Sequence, residues 1–316
     1  MEIKLHSQHN KLVKLLESNF INSDQGLLET IYKEFIEFSK TDNIDEIVLR
    51  KGNLSFADLS NLNPSFLEIV NKVNETHSAL SFASDLPIFI ECKDNKNADT
   101  IMICAMDSLP PEPNVKNLRN HPVYTNRKKG YDPKLKIGFW APFSLIENNN
   151  DENYIFFNEL LKHYHIYITD IYKLFFYIDI NKINENGKQI FKKSNALNNY
   201  RKLKAHSTIL AEEIKIINPK CIITLGNNAG NALLMIENKK IAKWEDCNET
   251  GGLQINEWGK KTDSKLPIKI ISIPHISGAA NGAKSLILEN QLHKNIAGKN
   301  IIKYANIILH ELNKIA

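Results

Sequence analysis

At 316 residues, with 40 lysines and arginines against 36 aspartates and glutamates, the chain is long enough for an ample core yet carries a formal charge of only +4. The length predicts about two domains, or one domain with an elaborate extension, and the charge excludes the strongly cationic signature of many nucleic-acid binders. No apolar run reaches bilayer length, and Met1-Glu-Ile-Lys-Leu-His6 leads into mixed polar sequence, so a reduced, cytoplasmic protein without a membrane partner is expected.

In chain order, Asn10 to Phe38 carries apolar residues at Leu12, Leu15, Leu16, Phe20, Leu27, Leu28, Ile31, Phe35 and Ile36. That spacing is helical and is broken near Asn22 to Gly26, which predicts two helices. A short apolar stretch, Ile44 to Arg50, follows. Asn63-Pro64 opens a further helical run through Val73, and Ile88 to Cys92 reads as a strand. Residues 1–96 are therefore expected to form a mainly helical N-terminal extension that either buttresses the fold or adds a module reading DNA or a partner, with residues 97–316 forming an α/β domain.

Thr100 to Cys104 reads as an apolar strand that delivers Asp107 to a turn rich in proline, Ala105 to Pro113. Leu109 to Pro142 is a long polar segment, and a segment of that length in a compact domain is functional or disordered. It ends in an aromatic cluster containing Phe139, Trp140 and Phe143. Asn153 to His163 predicts a helix feeding the strand of His165 to Tyr177. Asn181 to Tyr200 reads as a polar surface loop with some helix, and Leu203 to Ile217 as a helix. Cys221 to Leu225 is the next strand, and Gly226 to Gly230 a turn lacking the Gly-x-Gly-x-x-Gly fingerprint of a dinucleotide site. Thr250 to Lys265 reads as a hairpin region. Ile268 to Ile273 is a second strand ending in a polar loop, here with His275, and Leu286 to Leu312 predicts a closing helical segment. Loops after the carboxyl ends of parallel strands are where such sheets place ligands, so Asp107 and His275 are expected to share a pocket.

Cys92, Cys104, Cys221 and Cys247 show no paired metal-ligand spacing, and neither a metal nor another cofactor is expected. Cys104 and Cys221 fall inside strand runs, where a thiol packs as a small core residue. Arg119 to Lys129, Lys192 to Lys204 and Lys284 to Lys303 are basic patches, each either a phosphate contact or an ordinary solvated face.

From roughly Asp99 to the end, the chain resembles the uracil-DNA glycosylase superfamily. Ala105-Met-Asp-Ser108 is similar to the family's first motif, with Asp107 on its key position but alanine and serine where glycine and proline are usual. Pro274-His-Ile-Ser277 is similar to the second motif, with Ile276 in place of its proline. Ala211 to Leu234 resembles the helix, strand and small-residue turn that precede the second motif. The strand His165 to Tyr177 resembles the one bearing the base-reading asparagine, here Asp170.

The resemblance implies a central, mostly parallel sheet flanked by helices, and a monofunctional, monomeric DNA N-glycosylase. Cleavage of an N-glycosidic bond puts positive charge on the sugar and negative charge on the departing base. Asp107 is expected to orient water and stabilise the sugar, and His275 to stabilise the base oxygen. Phe143, or alternatively Phe139 or Trp140, is expected to stack on the flipped base. Asn227, Ser277, Gly278, Asn281 and Lys284 are expected to contact DNA, and the small tip of Ser277 to Asn281 leaves any inserted wedge to Ile276 or to another loop. Asp170 either caps a following helix or reads the base. A carboxylate is acceptor-only when ionised and suits the exocyclic amine of cytosine, whereas an asparagine suits uracil. Three functions stand on this basis: excision of a hypermodified cytosine from phage DNA, repair of uracil or another deaminated base, and non-catalytic binding of nucleic acid or a partner.

Overall fold

Continuous apolar strands rich in β-branched residues leave neither face for water, which is the pattern of a parallel sheet covered on both sides. The computed structural model describes residues 3–22, 26–39, 56–58, 61–76, 79–107, 136–140, 152–183, 189–192, 204–235, 254–258, 268–276 and 300–315. Its helices are α1 (His9–Asn19), α2 (Leu27–Ser39), α3 (Pro64–Thr76), α4 (Glu152–Leu160), α5 (Lys204–Ile217), α6 (Asn227–Met235) and α7 (Ile301–Ile315). Its strands are β1 (Phe56–Asp58), β2 (Ala79–Asp85), β3 (Ile88–Ile90), β4 (Thr100–Asp107), β5 (Lys136–Trp140), β6 (His165–Tyr172), β7 (Leu174–Ile183), β8 (Gln189–Lys192), β9 (Cys221–Leu225), β10 (Gln254–Trp258) and β11 (Ile268–Ile273).

Two sheets result. The larger has the order β10-β11-β9-β4-β6-β3. Its four central strands, β11, β9, β4 and β6, are parallel neighbours, and antiparallel β10 and β3 close the edges. This is the expected mostly parallel, helix-flanked sheet, with one edge strand, β3, drawn from the leading region. Alternation along the strands sends successive side chains to opposite faces. Ile101, Ile103, Ile166, Ile223 and Ile271 cluster with Phe156 of α4 and Tyr304 of α7. Met102, Cys104, Tyr167, Ile222 and Ile270 cluster with Leu210 of α5 and Leu233 of α6. In α7, Ile301, Tyr304, Ala305, Ile308 and Leu312 recur at helical spacing and are all buried, so one apolar face of this last helix seals the sheet.

The smaller sheet has the order β1-β5-β2-β7-β8. Its β7 and β8 replace the loop with some helix expected over Asn181 to Tyr200, at least across the described part of that span. Lys182 and Ile183 continue β7, and Ile190 pairs back onto Lys182. Cross-strand pairing decides such a polar stretch, because strand preference depends on neighbours more than on composition.

Residues of the leading region are stitched to the edge of the larger sheet. Leu5 bridges Ile90, His6 stacks on Phe89 with ring centroids 3.9 Å apart, and Lys4 pairs with Glu91 at 2.5 Å, which holds the Glu91 carboxyl below its usual pKa. Residues 40–55, including the stretch Ile44 to Arg50, lie outside the described residues.

Candidate active site

The path of the chain through the parallel strands locates the crevice. From β4 the chain crosses to β6 on one side, whereas from β9 it crosses to β11 on the other. The connections therefore diverge between β4 and β9, and such a switch point opens a crevice beyond the carboxyl ends of the strands.

Register then ranks the residues at that edge. Ala105 of β4 pairs with Asp170 of β6, and Leu225 of β9 pairs with Ile273 of β11. Cys104 pairs with Thr224, so continuing that register by one residue sets Ala105 beside Leu225. Ile273, Leu225, Ala105 and Asp170 thus form one row across four strands. Asp107 stands two residues beyond the row on β4 and pairs with Tyr172, while His275 stands two residues beyond it after β11. Neighbouring strands lie about 4.8 Å apart, so β4 and β11, with β9 between them, are about 10 Å apart at this level.

Each position has a local cause. Strand β4 runs on past Cys104 and carries Asp107 as its last residue, rather than delivering it to a turn. Its pairing with β6 continues to Asp107, which is why the strand does not end with its apolar run. At the end of β9, Gly226 takes φ +90°, a conformation that L side chains rarely adopt, and its N–H donates to the Ile273 carbonyl at 2.7 Å. Helix α6 starts at the next residue, Asn227, so the span read as a turn is the first turn of a helix whose N-terminus sits at the switch point. Beyond β11, the Tyr304 hydroxyl donates to the Pro274 carbonyl at 3.2 Å, and burial pushes the Tyr304 pKa well above its ordinary value. His275 is exposed while Pro274 and Ile276 on either side are buried, so the loop is anchored and the imidazole faces outward.

Two expectations are corrected here. Ile276 is fully buried in the core cluster and is therefore no DNA wedge; its apolar side chain gains more from packing below His275 than from exposure. Asp170 caps no helix, because it lies inside β6 and β7 follows. The residue is buried, at 7% exposure. Phe143, Ser277, Gly278, Asn281 and Lys284 lie outside the described residues, as does Cys247; Asp107 and Asn227 are described by their backbone positions. Phe139 and Trp140, the alternative stacking residues, belong to β5. Cys92, Cys104 and Cys221 are buried, and burial pushes the Cys221 thiol up to about 12.

One constellation at this edge escaped the sequence reading. Lys173, at the bend between β6 and β7, pairs with Glu213 of α5 at 2.8 Å, and both side chains are essentially inaccessible, at 1% and 0%. The Lys173 ammonium also donates to the Thr169 hydroxyl, and the Lys173 backbone N–H donates to His206 Nδ1 at 3.1 Å. The signal available in the sequence was a lysine inside an apolar run and a glutamate on the core side of a helix, where such residues are rarely buried unless paired.

The sheet is doubly wound, with Asp107 and Asp170 on adjacent strands and His275 just past the end of β11, which defines the class: a doubly wound α/β protein. The family model for the uracil DNA glycosylase superfamily matches residues 121–296, more than half of the chain, and the protein belongs to that superfamily. The match includes Asp170 and His275 and begins after Asp107. Members are mostly DNA glycosylases, hydrolases that bind DNA, and membership makes base excision the expected class of activity. No curated protein matches the chain. Among the described residues, no helix is long and apolar enough to cross a membrane.

Proposed function

We propose that the protein is a monomeric, cytoplasmic DNA glycosylase that removes a flipped, hypermodified cytosine from phage DNA and leaves an abasic site. The observation that carries this reading is the alignment of Asp107 and His275 two residues beyond one row that ends in Asp170.

In this mechanism Asp107 orients water and stabilises the cationic sugar, and the exposed His275 stabilises charge on the base oxygen. Asp170 accepts from the exocyclic amine of the base, a pairing that an ionised carboxylate makes and that uracil cannot offer. Phe143 stacks on the base; stacking contributes about 1–3 kcal/mol and leaves the choice of base to Asp170. The N-terminus of α6 at Asn227, with Ser277, Gly278, Asn281 and Lys284, holds the backbone phosphates. Residues 97–316 form the glycosylase unit and residues 1–96 buttress it.

Unmodified cytosine is too abundant in a host genome for unrestricted excision, so the site must require a modification. The residues after Asp107 contain no aromatic until Tyr124, which leaves the C5 side of the base open to a large substituent. Polar groups such as Asn114, Lys116, Asn117 and Arg119 are placed in sequence to pair with it. A site whose polar groups stay unpaired without the substituent discriminates by about 10⁴-fold or more. The test is excision from matched duplexes carrying uracil, cytosine, hydroxymethylcytosine or its glucosylated form, read as alkali-labile sites. Cleavage confined to the modified cytosines is expected; cleavage confined to uracil, or equal on all cytosines, contradicts the reading.

A further inference from the structure

Burying a lysine and a glutamate removes both from water, and their attraction recovers that cost only where geometry and further hydrogen bonds are good, so such a pair is seldom kept for stability alone. The Lys173–Glu213 pair is fully buried and lies three residues past Asp170, where the chain leaves the larger sheet for the smaller one.

Its contacts fasten this bend at several points. The ammonium reaches back to Thr169, the residue before Asp170, and across to Glu213. The backbone N–H is held by His206, seven residues before Glu213 on the same helix. The His206 ring in turn meets the ring of Tyr172 edge-on at 5.6 Å and that of Phe66 of α3 at 5.3 Å. Thr169, Tyr172 and Lys173 are thus tied to α5 from both sides of Asp170. Thr169 faces α5, and strand alternation sends the Asp170 side chain to the other face. The ties therefore hold the backbone on both sides of Asp170.

We propose that Lys173 and Glu213 are positioning residues that fix the end of β6, and with it the height of the Asp170 carboxylate relative to Asp107. This rests on the glycosylase reading, in which Asp170 reads the base. A backbone set within a fraction of an ångström matters in such a site, because a displacement of about 1 Å arising away from the chemistry costs about 10²-fold in rate.

The test compares the wild type with Lys173→Met/Glu213→Leu, which replaces both charges by apolar groups of similar volume and is expected to keep the fold, whereas Glu213→Leu alone strands a buried cation and is strongly destabilising. Hydrogen exchange of the amides of 170–174 and single-turnover excision are measured on both folded proteins. Exchange there is expected to accelerate about tenfold, with β4 and β9 unchanged, since a local opening is eased without loss of the global fold. Excision is expected to fall about 10²-fold. Wild-type exchange at 170–174 overturns the proposal whatever the activity, and so does accelerated exchange with wild-type excision. If the wild type excises no base at all, the glycosylase reading fails, and the exchange measurement still decides whether the pair holds the end of β6.

Discussion

Asp107 stands two residues further along β4 than Ala105, the register partner of Asp170, so the two aspartates belong to adjacent parallel strands and are offset along them. In the proposed mechanism that offset has a direct use. A base held at Asp170 has its sugar further out from the sheet, towards the level of Asp107 and His275.

Base choice follows from the hydrogen-bonding inventory of residue 170. Asp170→Asn exchanges an acceptor-only group for one that also donates, and its preference is expected to move from cytosine-like towards uracil-like bases. Ratios of kcat/KM on paired substrates check this, with unchanged selectivity in a folded variant assigning Asp170 a structural role.

The switch point depends on one glycine. Gly226 has φ +90° with nothing within 4 Å of an added Cβ, so Gly226→Ala is penalised by backbone strain and not by collision. A loss of about 1 kcal/mol or more is expected in urea unfolding. Stability equal to the wild type would contradict the positive φ.

Much of this arrangement was legible in the sequence, and the reason is physical. The runs Thr100 to Cys104, Cys221 to Leu225 and Ile268 to Ile273 are largely apolar with no polar face, the pattern of a parallel sheet covered on both sides. Placing Asp107 and His275 beyond their ends followed from that alone. Lys173 was not legible. Its partner lies 40 residues away on another element, and no periodicity within β6 reports a contact made through the helix above it. Ile276 misled for the converse reason, since an isolated apolar residue in a polar loop has the same local signature whether it turns outward or is drawn into the core.

Acid sensitivity should be traceable to His9. Burial, reinforced by His6, lowers its pKa from 6.5 to about 4, so the unfolded chain binds a proton that the folded chain does not between those values. Stability from this group is therefore fully present above pH 6.5 and is lost as pH falls towards 4, by about 3 kcal/mol in all. Urea unfolding at pH 7 and pH 4.5 should show a smaller pH difference for His9→Gln than for the wild type. An equal difference would remove His9 as the cause.

The central claim is that Asp107 and His275 act together on a glycosidic bond, and single-turnover excision by Asp107→Ala and His275→Ala tests it most directly. Measured on the best substrate of the wild type, each folded variant is predicted to lose about 10²–10³-fold, as removal of one oriented group from such a site does. Near-wild-type turnover by both variants would contradict the account.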